Sequence, residues 1–260
     1  MFLAALLALA PLQDSMAPDP GIVVDGFRYN PGIQSVGTLY RYKKSNIDGS
    51  NPSHVDLYVA SETHIESFKF HTGYPQATLV VADMDWNCFS VKHFETTKIH
   101  ADDTITPVGK LDLKGRKLVA SFGKLQMETP VDLFPWHTYD FDLASLNVSL
   151  RYLSDPEGVV LLGMIEPVLG KLVNKGFAEL AYLDDEKRGG QDCRHYSIDG
   201  PGFNDRGGEL WVSKGSAPVI VDYEIDLPDE SSMRSGKMLL VETKKLTLDQ
   251  WKQHKLDALK

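Results

Sequence analysis

The carboxylates are where this sequence comes nearest to chemistry. Asp83 and Asp85, Asp140 and Asp142, and the row Asp222, Glu224 and Asp226 are each spaced by two. On a strand that spacing sets them on one face. Paired carboxylates serve glycosidases as acid and base or nucleophile, and clustered ones hold calcium. Asp140 and Asp142 are the strongest pair, because Tyr139 and Phe141 alternate with them and are expected to pack inward. They support one enzymatic reading, an exported hydrolase aided by calcium. The row at Asp222 is expected to be the wetted face of a strand. His64, His71, His93 and His100 lie close in sequence, with His64 on the same strand face as Glu66. Without a CxxC or a Cys/His cluster, no metal site is assigned. GxSxG, HExxH, a phosphate loop and a dinucleotide fingerprint are all absent. Gly200-Pro201-Gly202 falls between two strands and is a turn. No catalytic residue and no cofactor is therefore assigned, and the chain reads as non-enzymatic.

The aromatic residues offer a different chemistry, apolar binding. A large curved sheet can enclose ligand space lined by rings. Trp136, Tyr139, Phe141, Trp211 and Tyr223 are the residues expected to line such a cavity. The ligand is a hydrophobic small molecule such as a lipid or acyl chain, or else a partner protein of the cell envelope.

Charge and the first residues place the chain. Thirty-six acidic and 27 basic side chains give a formal charge of −9, with 42% hydrophobic residues. This is a globular composition. The negative balance argues against a general binder of nucleic acid or anionic membranes, which needs a positive field. Arg41–Lys44, RYKK, is expected to be the solvated end of a strand. The opening MFLAALLALAPL is long enough for a signal-peptide core and too short to span a bilayer. Small-x-small triplets follow at Ala8-Leu9-Ala10 and Ser15-Met16-Ala17, so residues 1–17 are read as a signal peptide. Its missing positive n-region points to a start upstream of Met1. Secretion or a periplasmic location, with no transmembrane span, is the expectation. Cys88 and Cys193 form one disulfide in an oxidising compartment, or are two small buried hydrophobes. Asn147-Val148-Ser149 has the form of a glycosylation acceptor.

The elements that must position these residues are mostly strands. Alternation at Val36–Tyr42, HVDLYVA and THIESFKF marks half-buried strands, and the more continuous QATLVVADM marks one covered on both faces. CFSVKHFETTKIH, ITPVGKLDL, KLVASFG and KLQME continue the series. ETPVDLFPW, with two prolines, is a boundary or crossover. HTYDFDL returns to alternation, and SLNVSLRYL has the spacing of one internal helix. Beyond GVVLLGMIEP and NKGFAELAYLD comes a meander: a strand from Cys193, GELWV, and Val219–Leu227. SGKMLLVETKK leads to a terminal helix opened by a capping box at Thr247 and Gln250. Leu246 and Trp251 form its staple, and Leu248, Trp251 and Leu259 its buried face. The chain is mainly β: a large curved antiparallel sheet, open or closed like a barrel, with a C-terminal α-helix. It divides into an N-terminal meander at 18–127 and a C-terminal meander plus helix at 128–260, in one continuous barrel-like unit.

The run CRHYSIDGPGF…GELWVSKGSAPVIVDYEIDLP resembles the C-terminal half of uncharacterised secreted or periplasmic β-rich proteins. In these, a Cys/Arg/Tyr strand, a glycine turn and an L/I-W-V strand precede a strand running away from the turn. That arrangement is similar to the open β-barrel of bacterial lipoprotein carriers. The resemblance holds from Phe134 onward and fixes no functional residue. It implies an envelope protein with an unclosed barrel and an apolar concave face. The leading expectation is an exported non-enzymatic protein binding an apolar ligand or a partner on that face. The hydrolase is one alternative. A structural or assembly protein of the envelope is the other, favoured by a fully packed interior.

Overall fold

The computed structural model describes residue 22 and residues 24–139, 141–168, 170–226 and 235–260. The proposed signal peptide lies outside them. A meander of eight strands comes first: β1 (Thr38–Ser45), β2 (Ser53–Val59), β3 (His64–Phe70), β4 (Gln76–Asp85), β5 (Ser90–His100), β6 (Ile105–Lys114), β7 (Lys117–Phe122) and β8 (Leu125–Pro130). The short β9 (Trp136–His137) and helix α1 (Ala144–Ser149) follow. A second meander runs through β10 (Val159–Val168), β11 (Lys171–Arg188), β12 (Gln191–Asp199), β13 (Gly208–Ser213), β14 (Ile220–Asp226) and β15 (Ser235–Lys245). Helix α2 (Leu248–Asp257) ends the chain. The two meanders join where β1 pairs with β15, giving one sheet with β8 and β9 at its edges. All pairs are antiparallel except β9 with β10.

This order forces curvature. Fifteen strands laid flat span about 65 Å. The chain nevertheless passes from one edge, Pro130, to the other, Trp136, through residues 131–135, which reach at most about 20 Å. The sheet therefore curls until its edges come close, and no ladder among the described residues closes it. Asn174 on β11 ties the crossover down, its Nδ2 lying 2.7 Å from Asp132 Oδ2. The proline-bearing stretch ETPVDLFPW is this crossover.

Behind the crossover the chain enters the inside of the curl. Beyond His137, which ends β9, the described residues of HTYDFDL are not strand. Residues 141–143 are a turn, and Asp142 and Leu143 take φ values of 52° and 53°. Side chains other than glycine adopt that region at a cost, which surrounding contacts must offset. All six residues of α1 are buried. A helix hydrophobic on one stripe would leave a wet side, so this one is held by polar anchors instead. Asn147 Nδ2 donates to Tyr42 Oη at 2.9 Å, and its Oδ1 accepts from Ile220 N at 2.9 Å. Ser149 Oγ donates to Phe89 O at 3.2 Å. The Asn147 amide is thus enclosed and fully used, which removes it as a glycosylation acceptor in the folded chain.

The outer face of β1–β4 is covered by α2. Trp251 and Leu259 complete a second core with Leu39, Tyr58, Phe68 and Leu79. This is why β4, with Ala82 and Met84 on the main core, is apolar on both faces. The Thr247–Gln250 capping box forms as expected. Leu248 does not join the buried face; it is 61% exposed. It opens the first turn, while Trp251 and Leu259 pack on the sheet and His254 and Lys255 reach Asp56 and Glu66.

Candidate functional site

The five aromatic candidates are split between two faces. Trp136, Phe141 and Tyr223 are buried in the main core, with Tyr139 packed against them. Phe141 lies 6.0 Å from Phe94, and Tyr139 lies edge-on to Tyr223 at 6.1 Å. Trp211 belongs to the opposite face, in a small core with Cys193 and Val221. The register explains the split. Trp211 stands opposite Asp222, while its neighbour Leu210 stands opposite Tyr223. Trp136, Phe141 and Tyr223 share the main core with the buried helix α1.

Asp140 lies outside the described residues. Asp142 is 1% exposed and neutralised by two lysines, Lys44 at Oδ1 and Lys69 at Oδ2, the latter at 3.0 Å. Burial pushes its carboxyl up, but the two ammonium groups outweigh that and hold it below the usual range. Lys44, expected in solvent, is buried to make this contact. Among the described residues no group of His, Cys, Asp and Glu is arranged to hold a metal ion.

His137 Nδ1 and Ser145 Oγ are 2.9 Å apart, the contact of a nucleophile and its base. Both residues are fully enclosed. Burial drives the imidazole down to about 3, so it is neutral, and no substrate carbonyl can reach the serine. The pair anchors α1.

Cys88 and Cys193 are free thiols, buried in different cores on opposite faces of the sheet. Of the two alternatives read from the sequence, they are the two small buried side chains and not the bridge. Burial raises both, Cys88 to about 12, so neither is a reactive thiolate.

The acidic row of β14 is not a wetted face. Asp222 is 1% exposed. Arg188 donates from Nε to its Oδ2 at 2.8 Å and from Nη2 to Glu224, while lying 3.9 Å over the Trp211 ring. His195 stacks on the same ring at 4.8 Å. Side chains from β11 and β12 therefore roof this part of the sheet. Only Asp226 of the row is exposed.

Sequence reading missed an opening in the wall. β14 pairs with β15 from Asp226–Ser235 to Asp222–Leu239 and no further. β15 continues along β1 alone, from Leu240 to Lys245. Two bulges produce the split, one in the β13–β14 ladder at Trp211/Val212 and one in the β1–β15 ladder at Arg41/Tyr42. Such irregularities bend a strand and end pairing. The freed backbone of Ile220 turns inward: its N–H donates to Asn147, and its carbonyl accepts from Tyr42 Oη at 2.9 Å. The slot left outside this seal holds about 570 Å³. Tyr40, Val219 and Leu240 line it with the turn Lys214–Ala217. It has the size of a ligand site, yet its wall is largely backbone and small polar side chains. The sequence signal for the seal was Asn147, the one amide side chain of α1.

No family model matches the chain, and no curated protein does. Two of the solved structures similar to it are the following. The first is a β-barrel-like protein of a domain of unknown function, DUF1849, from Brucella abortus, with TM-score 0.48 and 10% identity over 81% of this chain and 98% of that one. The second is a putative outer membrane lipoprotein-sorting protein domain from Vibrio parahaemolyticus, with TM-score 0.22 and 9% identity over 84% of this chain and 90% of that one. Neither identifies a ligand or an activity for this chain.

Proposed function

We propose that the chain is an exported, non-enzymatic binding protein whose ligand is an extended segment of a partner protein, added as a short strand to β15 at Leu240–Thr243. The observation that carries this is the split: from Leu240 onward β15 is paired on the β1 side only and faces the slot. An open strand edge presents unmet N–H and C=O groups, and a peptide backbone supplies their complement. Val241, 52% exposed in the bulge, offers an apolar contact beside that edge. Export rests on the signal-like residues 1–17.

The test is selection of random peptides from a displayed library on the folded protein. Selected peptides are expected to protect the amides of Leu240–Thr243 from hydrogen exchange. They should bind Val241→Pro at least tenfold more weakly. Peptides that protect other amides, or a selection that returns none, would refute the reading. A lipid in the interior is the second reading, and the strained turn at Asp142 and Leu143 favours it. Room would come from displacing α1. Delipidated protein titrated with fatty acid or phospholipid should then expose the amides of Ala144–Ser149.

A further inference from the structure

Arg151 stands apart from every other cation described above. It lies in the turn that follows α1 and is only 7% exposed. Its one hydrogen bond runs from Nη1 to Ser35 Oγ at 2.6 Å. Nε and Nη2 are buried and meet no acceptor. No carboxylate among the described residues pairs with it. A guanidinium cannot shed its proton to escape this position. A buried charge without a partner is costly, so something must supply the missing acceptor.

The surroundings restrict what that can be. Arg151 lines a cleft with Gln34, Glu62, Ile65, Trp86 and Tyr152 that has room for only about 10 Å³, the space of one water-sized group. Trp86 and Tyr152 meet edge-on at 4.9 Å and wall it. The Glu62 carbonyl is engaged by Trp86 Nε1 at 2.8 Å and Gln34 Nε2 at 3.1 Å. Nε–H and Nη2–H lie side by side on one edge of the guanidinium plane, the fork that grips a carboxylate or a single halide.

We infer that Arg151 is the floor of an anion site that takes a single halide ion, beside the edge-on pair of Trp86 and Tyr152. The site is distinct from the β15 slot and does not depend on it. The anion completes the Arg151 fork and locks the end of α1 against the segment before β1, where Arg28 N donates to Tyr152 O at 2.7 Å.

Thermal unfolding of the full chain at fixed ionic strength tests this, with sodium chloride or sodium bromide replacing sodium gluconate. Chloride and bromide should each raise Tm along a saturating curve, by about 5 °C at high occupancy, while bulky gluconate should not. Arg151→Met should abolish the dependence, and Glu62→Gln should keep it. If Arg151→Met does not fold, chloride-35 line broadening by the wild-type protein, reversed by bromide and not by gluconate, gives the same answer. A flat Tm in the wild type would mean that water alone fills the cleft, and the site would be overturned. An anion response confined to Glu62→Gln would overturn it as well, because Glu62 would then be the counterion.

Discussion

Two aspartates, one on each half of the outer surface, are buried to the same degree and are each met by an arginine. Asp56 is 0% exposed and Asp222 is 1% exposed. Their carboxyl groups nevertheless move in opposite directions. For Asp56, burial pushes upward, but Arg41 and His254 outweigh it and hold the group below its ordinary value. For Asp222, burial wins over Arg188 and the group is raised. The difference lies in the second oxygen. Arg41 grips Asp56 with both prongs, Nε to Oδ1 and Nη2 to Oδ2 at 2.8 Å each, and His254 Nε2 adds a contact at 2.7 Å. Arg188 divides its prongs between Asp222 and Glu224, and Asp222 Oδ1 is left without a partner. A bidentate grip satisfies the charge it buries, whereas a shared arginine satisfies half of each. The coverings match this contrast. A whole helix, α2, brings His254 to Asp56, while Asp222 lies under single side chains of the neighbouring strands.

The tryptophans of the two coverings should show the largest contrast. Trp251 stacks on Tyr58 at 5.0 Å and donates from Nε1 to Glu66 at 2.7 Å. Trp251→Ala should cost about 4 kcal/mol, the range for a large core truncation, and should free α2. Trp211→Ala should cost about 2 kcal/mol, because the Arg188 and His195 side chains lie on the ring and can settle into the space. Urea unfolding with helix content followed separately measures both. Equal losses would mean that the side-chain roof is as firm as the helix.

The aspartates come next. Asp56→Asn breaks a bidentate buried pair and should cost about 3 kcal/mol. Asp222→Asn removes a half-satisfied charge, leaves Arg188 with Glu224, and should cost less than about 1 kcal/mol. Denaturant midpoints at neutral pH compare them, and a larger loss at Asp222 would break the account.

Sequence reading placed the strands, the crossover and both helices because alternation, prolines and a capping box are local signals. It could not separate Asp56 from Asp222, since His254 lies 198 residues from Asp56. Coverage is a long-range property. The error at HTYDFDL has a local cause: its alternation is that of a strand, and no glycine warns of the positive φ at Asp142 and Leu143. The aromatic candidates were chosen by residue type, which does not reveal face. A single bulge near Val221 puts that residue with Trp211 and its neighbours Ile220 and Tyr223 with the main core. The slot at β15 was invisible for the same reason, being made by two bulges and by the reach of Tyr42 to Ile220, 178 residues away.

The smallest effect, and the one most diagnostic of mechanism, is the sign of the pH dependence. Asp56 has a folded value below its unfolded one. Its contribution is present above the unfolded carboxylate range and is lost as pH falls through the folded value. Asp222 has a folded value above its unfolded one, so the folded state holds the proton more tightly. Its charge therefore opposes folding at neutral pH, and acidification relieves this. Between about pH 5.5 and 3 the stability gap between wild type and Asp56→Asn should narrow. Over the same window wild type should gain on Asp222→Asn. Denaturant titrations of the three proteins at several pH values read both trends on one axis. Parallel slopes would show that the orphaned Oδ1 of Asp222 finds a partner in solution, and would reduce the two halves of the surface to the same chemistry.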